Sequence, residues 1–234
     1  MPTTAADHSE PAAVIAYYRT VGSTLLDHLT GRPVLGHGGS GQSRHGVELH
    51  IEDAADLDEA VRSGVVGFEL SDWTGPQRLA LRIRAGDDSG IDNVATTTLA
   101  LMELMLADGV RPTAMLDGAG GMYLAGIGAD GSAAAKYAQE LADRSPEIAT
   151  TSAADAAGRA WIEPLPPGGN GLPAPYSLVA GPLGLAVIAP LTRDEVAAAT
   201  AGMPLDIEMA DLPERLRSRG DLALQLALAS APDA

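Results

Sequence analysis

The sequence predicts an α+β or mixed α/β fold: a central mixed sheet flanked by helices, spanning residues 1–234 as one domain of two packed α/β modules. Three observations carry that expectation. Apolar residues recur at helical spacing between Val14 and Leu29. Short segments such as "VVGFEL", "RLALRIR" and "GMYLAGI" have strand composition or strand alternation and are bounded by turn residues. The two kinds of segment interleave in an order that is neither strictly βαβ nor all-β. With 234 residues, 46% of them hydrophobic, the chain can bury a substantial core.

Ser9 and Pro11 form a helix start, cap and first turn, and Val14, Ile15, Tyr18, Val21, Leu25, Leu26 and Leu29 continue the helix until Gly31 and Pro33 end it. A glycine-rich loop is expected at 36–46, then a strand at 47–51, a short helix at 53–63 and a buried strand at 65–70. A strand at 78–84 runs into the loop "AGDDSGID", where Asp92 is read as the cap of a long helix over 92–108. "TAMLDG" and "GMYLAGI" form a hairpin about Gly118–Gly121. A helix at 132–143 stops before Pro146, "RAWIEP" is a strand, and 164–175 is a proline- and glycine-rich loop. Strands near 176–180 and 185–189 precede helices at 192–201 and 211–219.

Charge narrows the function. There are 15 basic and 31 acidic residues, a formal net charge of −16, and Lys136 is the sole lysine. Affinity for nucleic acid comes largely from cations that neutralise phosphates, so this chain is expected to bind DNA weakly or not at all. One Phe, two Trp and five Tyr offer few platforms for stacking bases. With no cysteine, disulfides, thiolate metal sites and cysteine nucleophiles are excluded. No apolar run is long enough to cross a membrane and the first residues do not read as a secretory signal, so a cytoplasmic location is expected.

Several motifs carry weak signals. "GHGGSGQS" (36–43) has P-loop spacing, but Gln42 stands at the lysine position and a strand follows where a helix is required, so a plain loop is the better reading. His37, His45 and His50 cluster in sequence without carboxylates at matching spacing, which favours loop histidines over a metal site. "DDSGID" (87–92) lacks the complete calcium-loop pattern. No serine lies in a nucleophile elbow. The strongest local question is "RLALRIRAGDD": Arg82 and Arg84 share one strand face, roughly 7 Å apart. Such like charges need an anionic neighbour.

"YYRTVGSTLLDHLTGRPV" (17–34) resembles the opening helix of the polymerase domain of bacterial DNA ligase D, a primase-polymerase of non-homologous end joining. The likeness continues in order through "LDEAVRSGVVGFEL", "GPQRLALRIRAG", "LDGAGGMYLAG", "AGRAWIEPLPPGGN", "APYSLVAGP", "PLTRDEV" and "LPERLRSRGDLAL". It implies a primase-polymerase-like fold over almost the whole chain.

The family's chemistry does not follow its fold. Arg82 and Arg84 stand where the family has the Asp-x-Asp pair that holds two divalent metals, and Glu163 stands for the third metal-binding Asp. Asp117, Gly120 and Tyr123 replace the Ser, Lys and His of the segment that grips the triphosphate. Ser71 replaces the His of the Glu-x-His strand beside Glu69, and Val179 replaces an Arg. The resemblance so altered implies no metal, no cofactor and no nucleotidyl transfer. Two function classes remain. One is a degenerate, non-catalytic accessory or protein-interaction role with a protein partner, linked to DNA repair. The other is metal-independent binding of a nucleotide or phosphorylated ligand through Arg82 and Arg84, beside Glu69 and Asp117. In either, the arginines are expected to point into the former active-site cleft on the side of Glu69 and Glu163; an internal cluster pairs them there, with Asp117 completing it, whereas the ligand reading leaves them partly unpaired for a phosphate.

Overall fold

The computed structural model describes residues 11–38, 46–71, 73, 77–166, 171–181 and 184–228. Its first helix, α1 (Pro11–Leu29), begins at the predicted proline and buries Val14, Tyr17, Tyr18, Val21, Leu25 and Leu29 on one face; Ser9 lies outside the described residues. Strand β1 (Val34–Gly38) follows, then β2 (Val47–Leu49), α2 (Ala54–Arg62) and β3 (Val65–Leu70). Asp53 caps α2, accepting from the backbone N–H groups of Ala55 and Asp56 at 2.8 and 3.1 Å. The middle of the chain gives β4 (Arg78–Ala85), α3 (Ile91–Ala107), β5 (Arg111–Leu116), β6 (Met122–Ile127) and α4 (Ala133–Arg144). The remainder gives β7 (Ala149–Thr150), β8 (Ala160–Leu165), β9 (Leu172–Pro173), β10 (Leu178–Gly181), β11 (Gly184–Val187), β12 (Pro190–Leu191), α5 (Arg193–Ala199), α6 (Leu212–Arg219) and α7 (Leu224–Leu228).

Three sheets result: six strands in the order β12-β5-β6-β4-β8-β7, four in the order β2-β1-β3-β9, and the hairpin β10-β11. Pairing is antiparallel throughout except between β7 and β8, so the largest sheet is mixed, as the sequence predicts. Strand alternation sends its two faces into different cores. Leu79, Leu81 and Ile83 of β4 pack with Val94, Leu101 and Met105 of α3 and with Tyr137 and Leu141 of α4. Ala80 of β4, Met115, Tyr123 and Ala125 join α1, α2, Phe68 and Leu70 in the second core. Arg82 and Arg84 occupy the same face of β4 as Ala80, so they look from the six-stranded sheet toward the four-stranded one.

Three departures from the sequence reading have physical reasons. The segment read as a glycine-rich loop begins as β1, which pairs with β2 on one side and β3 on the other. Gly36 belongs there because a Cβ at that position would lie 2.5 Å from Leu49 Cδ1 and 3.1 Å from both methyls of Val65. Residues 39–45 of the same segment lie outside the described residues. Second, Asp92 is not the cap of α3. Gly90 is, and Asp92 sits in the first turn, where a carboxylate still meets the positive end of the helix dipole. Third, β7, β9, β12 and α7 are too short for periodicity to reveal; β9 lies within the predicted 164–175 loop.

Side-chain hydroxyls lock α1 to the sheets. Tyr18 donates to the carbonyl of Val66 and accepts from the backbone N–H of Leu178 at 2.9 Å. Tyr17 donates to the carbonyl of Tyr176 at 2.7 Å. The fully buried His28 places Nε2 3.0 Å from Asp221, which also accepts from the Tyr176 hydroxyl at 2.7 Å. Arg32 reaches the carbonyls of Leu226 and Ala227 at 3.3 and 2.9 Å, at the C-terminal end of α7. Among the described residues, no helix is long and apolar enough to cross a membrane.

Candidate functional site

The register of β4 sets the site. Arg82 stands opposite Tyr123 of β6 on one side and Glu163 of β8 on the other, and Arg84 stands opposite Trp161. Each guanidinium lies over an aromatic ring: Arg82 is 5.2 Å from the Tyr123 centroid and Arg84 4.8 Å from that of Trp161. Each also takes a carboxylate. Arg82 donates from Nε and Nη2 to Oδ2 of Asp117 at 3.1 and 2.9 Å, while Arg84 Nη2 donates to Glu163 Oε2 at 2.8 Å.

The two ion pairs differ in kind. The Asp117 side chain is 1% exposed and its partner Arg82 24% exposed, whereas Arg84 and Glu163 are 37% and 35% exposed. Asp117 is also a turn-former. Its Oδ1 accepts from the backbone N–H groups of Ala119 and Gly121 at 2.8 and 2.7 Å, closing the β5–β6 connection. That connection bends through left-handed glycines, with φ of 74° at Gly118 and 84° at Gly120. Asp117 thus accepts four hydrogen bonds and is saturated.

Glu69 takes other partners. Its Oε1 accepts from the backbone N–H of Gly171 at 2.8 Å, and its Oε2 lies 3.2 Å from His37 Nε2, near enough to pair but short of hydrogen-bond alignment. His37 above all, and then the Gly171 N–H, hold the Glu69 carboxyl below its ordinary value against the opposing effect of burial. Burial pushes the Tyr123 phenol up, with Arg82 opposing. Ser71 turns away from the cluster, its Oγ donating to the carbonyl of Pro33 at 3.2 Å.

The expected meeting of arginines and carboxylates therefore holds for Asp117 and Glu163 and fails for Glu69. Glu69 belongs to a cavity of about 250 Å³ on the same side of the six-stranded sheet, lined by His37, Phe68, Tyr123, Pro173, Leu178 and Val179 among others. The sequence histidines do not act together. His37 faces Glu69, His50 is exposed with Nε2 3.0 Å from Glu52, and His45 lies outside the described residues. Among the described residues no three His, Asp or Glu side chains converge as a metal-ligand group. The His37–Glu69 pair is the feature that sequence reasoning missed. The signal was present in "PVLGH": paired with "VVGFEL" it sets His37 opposite Gly67, on the same face as Glu69 two residues along.

No family model matches the chain, and no curated protein matches it. Among solved structures, the polymerase domain of Mycobacterium tuberculosis ligase D, determined in complex with DNA, superposes with a TM-score of 0.79. The match covers 99% of each chain at 19% sequence identity. The mixed sheet, its flanking helices and the strand that carries Arg82 and Arg84 thus belong to an architecture seen before: the chain has the fold of a ligase D polymerase domain.

Proposed function

We propose that this chain is a degenerate, non-catalytic member of that fold, acting in the cytoplasm as an accessory or protein-interaction subunit linked to DNA repair by end joining. One observation carries the reading: Arg82 and Arg84, on the strand that the resemblance assigns to metal-binding aspartates, are bound to Asp117 and Glu163. Two guanidinium groups repel a divalent cation, and their partners spend carboxylate lone pairs that a metal would need. The net charge of −16 opposes DNA. It favours a protein partner with a basic face. The test is nucleotide incorporation on a primed template with Mg²⁺ or Mn²⁺, alongside DNA binding at physiological salt. Neither is expected. Incorporation that disappears on Glu163→Ala would overturn the reading.

Metal-independent binding of a nucleotide or phosphorylated ligand through Arg82 and Arg84 is the competing function. A phosphate there must compete with carboxylates that already pair with both arginines. Thermal melts with added nucleotide separate the two, since a ligand at 100 times its Kd adds about 2.7 kcal/mol to stability. The non-catalytic accessory reading expects no such gain.

A further inference from the structure

We propose that the cavity beside the arginine cluster binds a small, flat monocation, such as a protonated aromatic amidine or amine, with the Glu69 carboxylate as its counter-ion. The inference goes beyond the accessory role above and concerns different side chains.

Size comes first. The cavity holds about 250 Å³. An apolar cavity of about 150 Å³ takes a benzene ring, so one ring plus one polar substituent fits. Apolar surface is offered by Val179 of β10 and Pro173 of β9, beside the edge of β3. The body of an aromatic ligand requires such surface.

The polar groups choose the charge. Glu69, His37 and the Tyr123 hydroxyl are the side-chain groups that can hydrogen-bond a ligand in this lining. The Tyr123 hydroxyl makes no hydrogen bond to any described residue. Glu69 spends one lone pair on the Gly171 N–H and its other oxygen pairs with His37 at 3.2 Å, which leaves about two of a carboxylate's roughly four acceptor sites. An amidinium matches a carboxylate as a fork matches a fork. An anion finds no comparable welcome, because the one carboxylate in the lining, Glu69, repels it and neither arginine belongs to the lining. A metal finds one carboxylate and one imidazole, too few to hold it.

Benzamidine is the probe, and benzamide, nearly the same shape without charge, is its control. Thermal melts and isothermal titration at neutral pH are expected to show saturable benzamidine binding and none for benzamide. Glu69→Gln removes the charge but keeps an oxygen for the Gly171 N–H, and should weaken benzamidine roughly tenfold or more. Val179→Phe fills the cavity without touching Glu69 and should weaken it comparably; both variants are checked for folding by circular dichroism. The proposal is overturned if the wild-type protein ignores benzamidine, if benzamide binds equally, or if neither folded variant loses affinity. None of these results bears on nucleotide incorporation, so the accessory reading and the cation site stand or fall separately.

Discussion

Arg82 and Arg84 sit two residues apart on one strand, yet their removal should have different consequences. Arg82→Ala strands a carboxylate that is 1% exposed and has only two backbone donors left. The expected loss is about 2–3 kcal/mol in urea denaturation. Arg84→Ala breaks a pair whose members are both about one-third exposed, and should cost under about 1 kcal/mol. Equal losses would contradict this account of the cluster. A second carboxylate gives a pH signature. Burial opposes ionisation of Glu195, but Arg215 and the Thr192 N–H outweigh it and bring the pKa from 4.5 down to about 2. Because the folded value is the lower one, this stabilisation is complete above pH 4.5 and is lost as pH falls toward about 2. Its size is on the order of 3 kcal/mol, less what solvent screening removes from a part-exposed pair. Melting temperatures measured across that window should fall more gently in Glu195→Gln than in the wild-type chain.

Elements are joined here by single polar atoms over long sequence distances. The Tyr18 hydroxyl serves α1, β3 and β10 together. Tyr18→Phe keeps the ring against Phe68, at a centroid distance of 5.4 Å, while leaving the Val66 carbonyl and the Leu178 N–H without this partner. The expected loss is about 1–3 kcal/mol by chemical denaturation; a neutral result would show that water replaces the hydroxyl. Long elements were legible in the sequence because periodicity accumulates: α1, α3, β4 and the β5–β6 hairpin lie within a few residues of expectation. Short ones were not. Glycine weakens strand propensity, so "VLGHG" reads as loop, although Gly36 admits close neighbours there. That one omission hid the candidate cation site, because without β1 nothing brings His37 to Glu69. The arginine cluster was legible in part, since strand alternation places Arg82 and Arg84 on a common face. Which carboxylates answer them depends on the β5–β6 turn, which supplies Asp117, and on the β4–β8 pairing, which supplies Glu163.

At the scale of the molecule, two cores share the six-stranded sheet, and the last described segment closes one of them. Asp221 meets His28 across 193 residues of sequence, and Ala223 and Leu226 are buried in the same core as α1. The consequence is one of timing during synthesis. At about 5–20 residues per second, α1 leaves the ribosome roughly 10–40 s before the residues that cover His28 and Arg32. For that interval α2 and β3 already cover part of its apolar face, but His28 and Arg32 at its C-terminal end still wait for their partners. A ribosome-bound chain arrested before Asp221 should therefore be cut more readily by protease near the C-terminal end of α1 than the chain released from the ribosome.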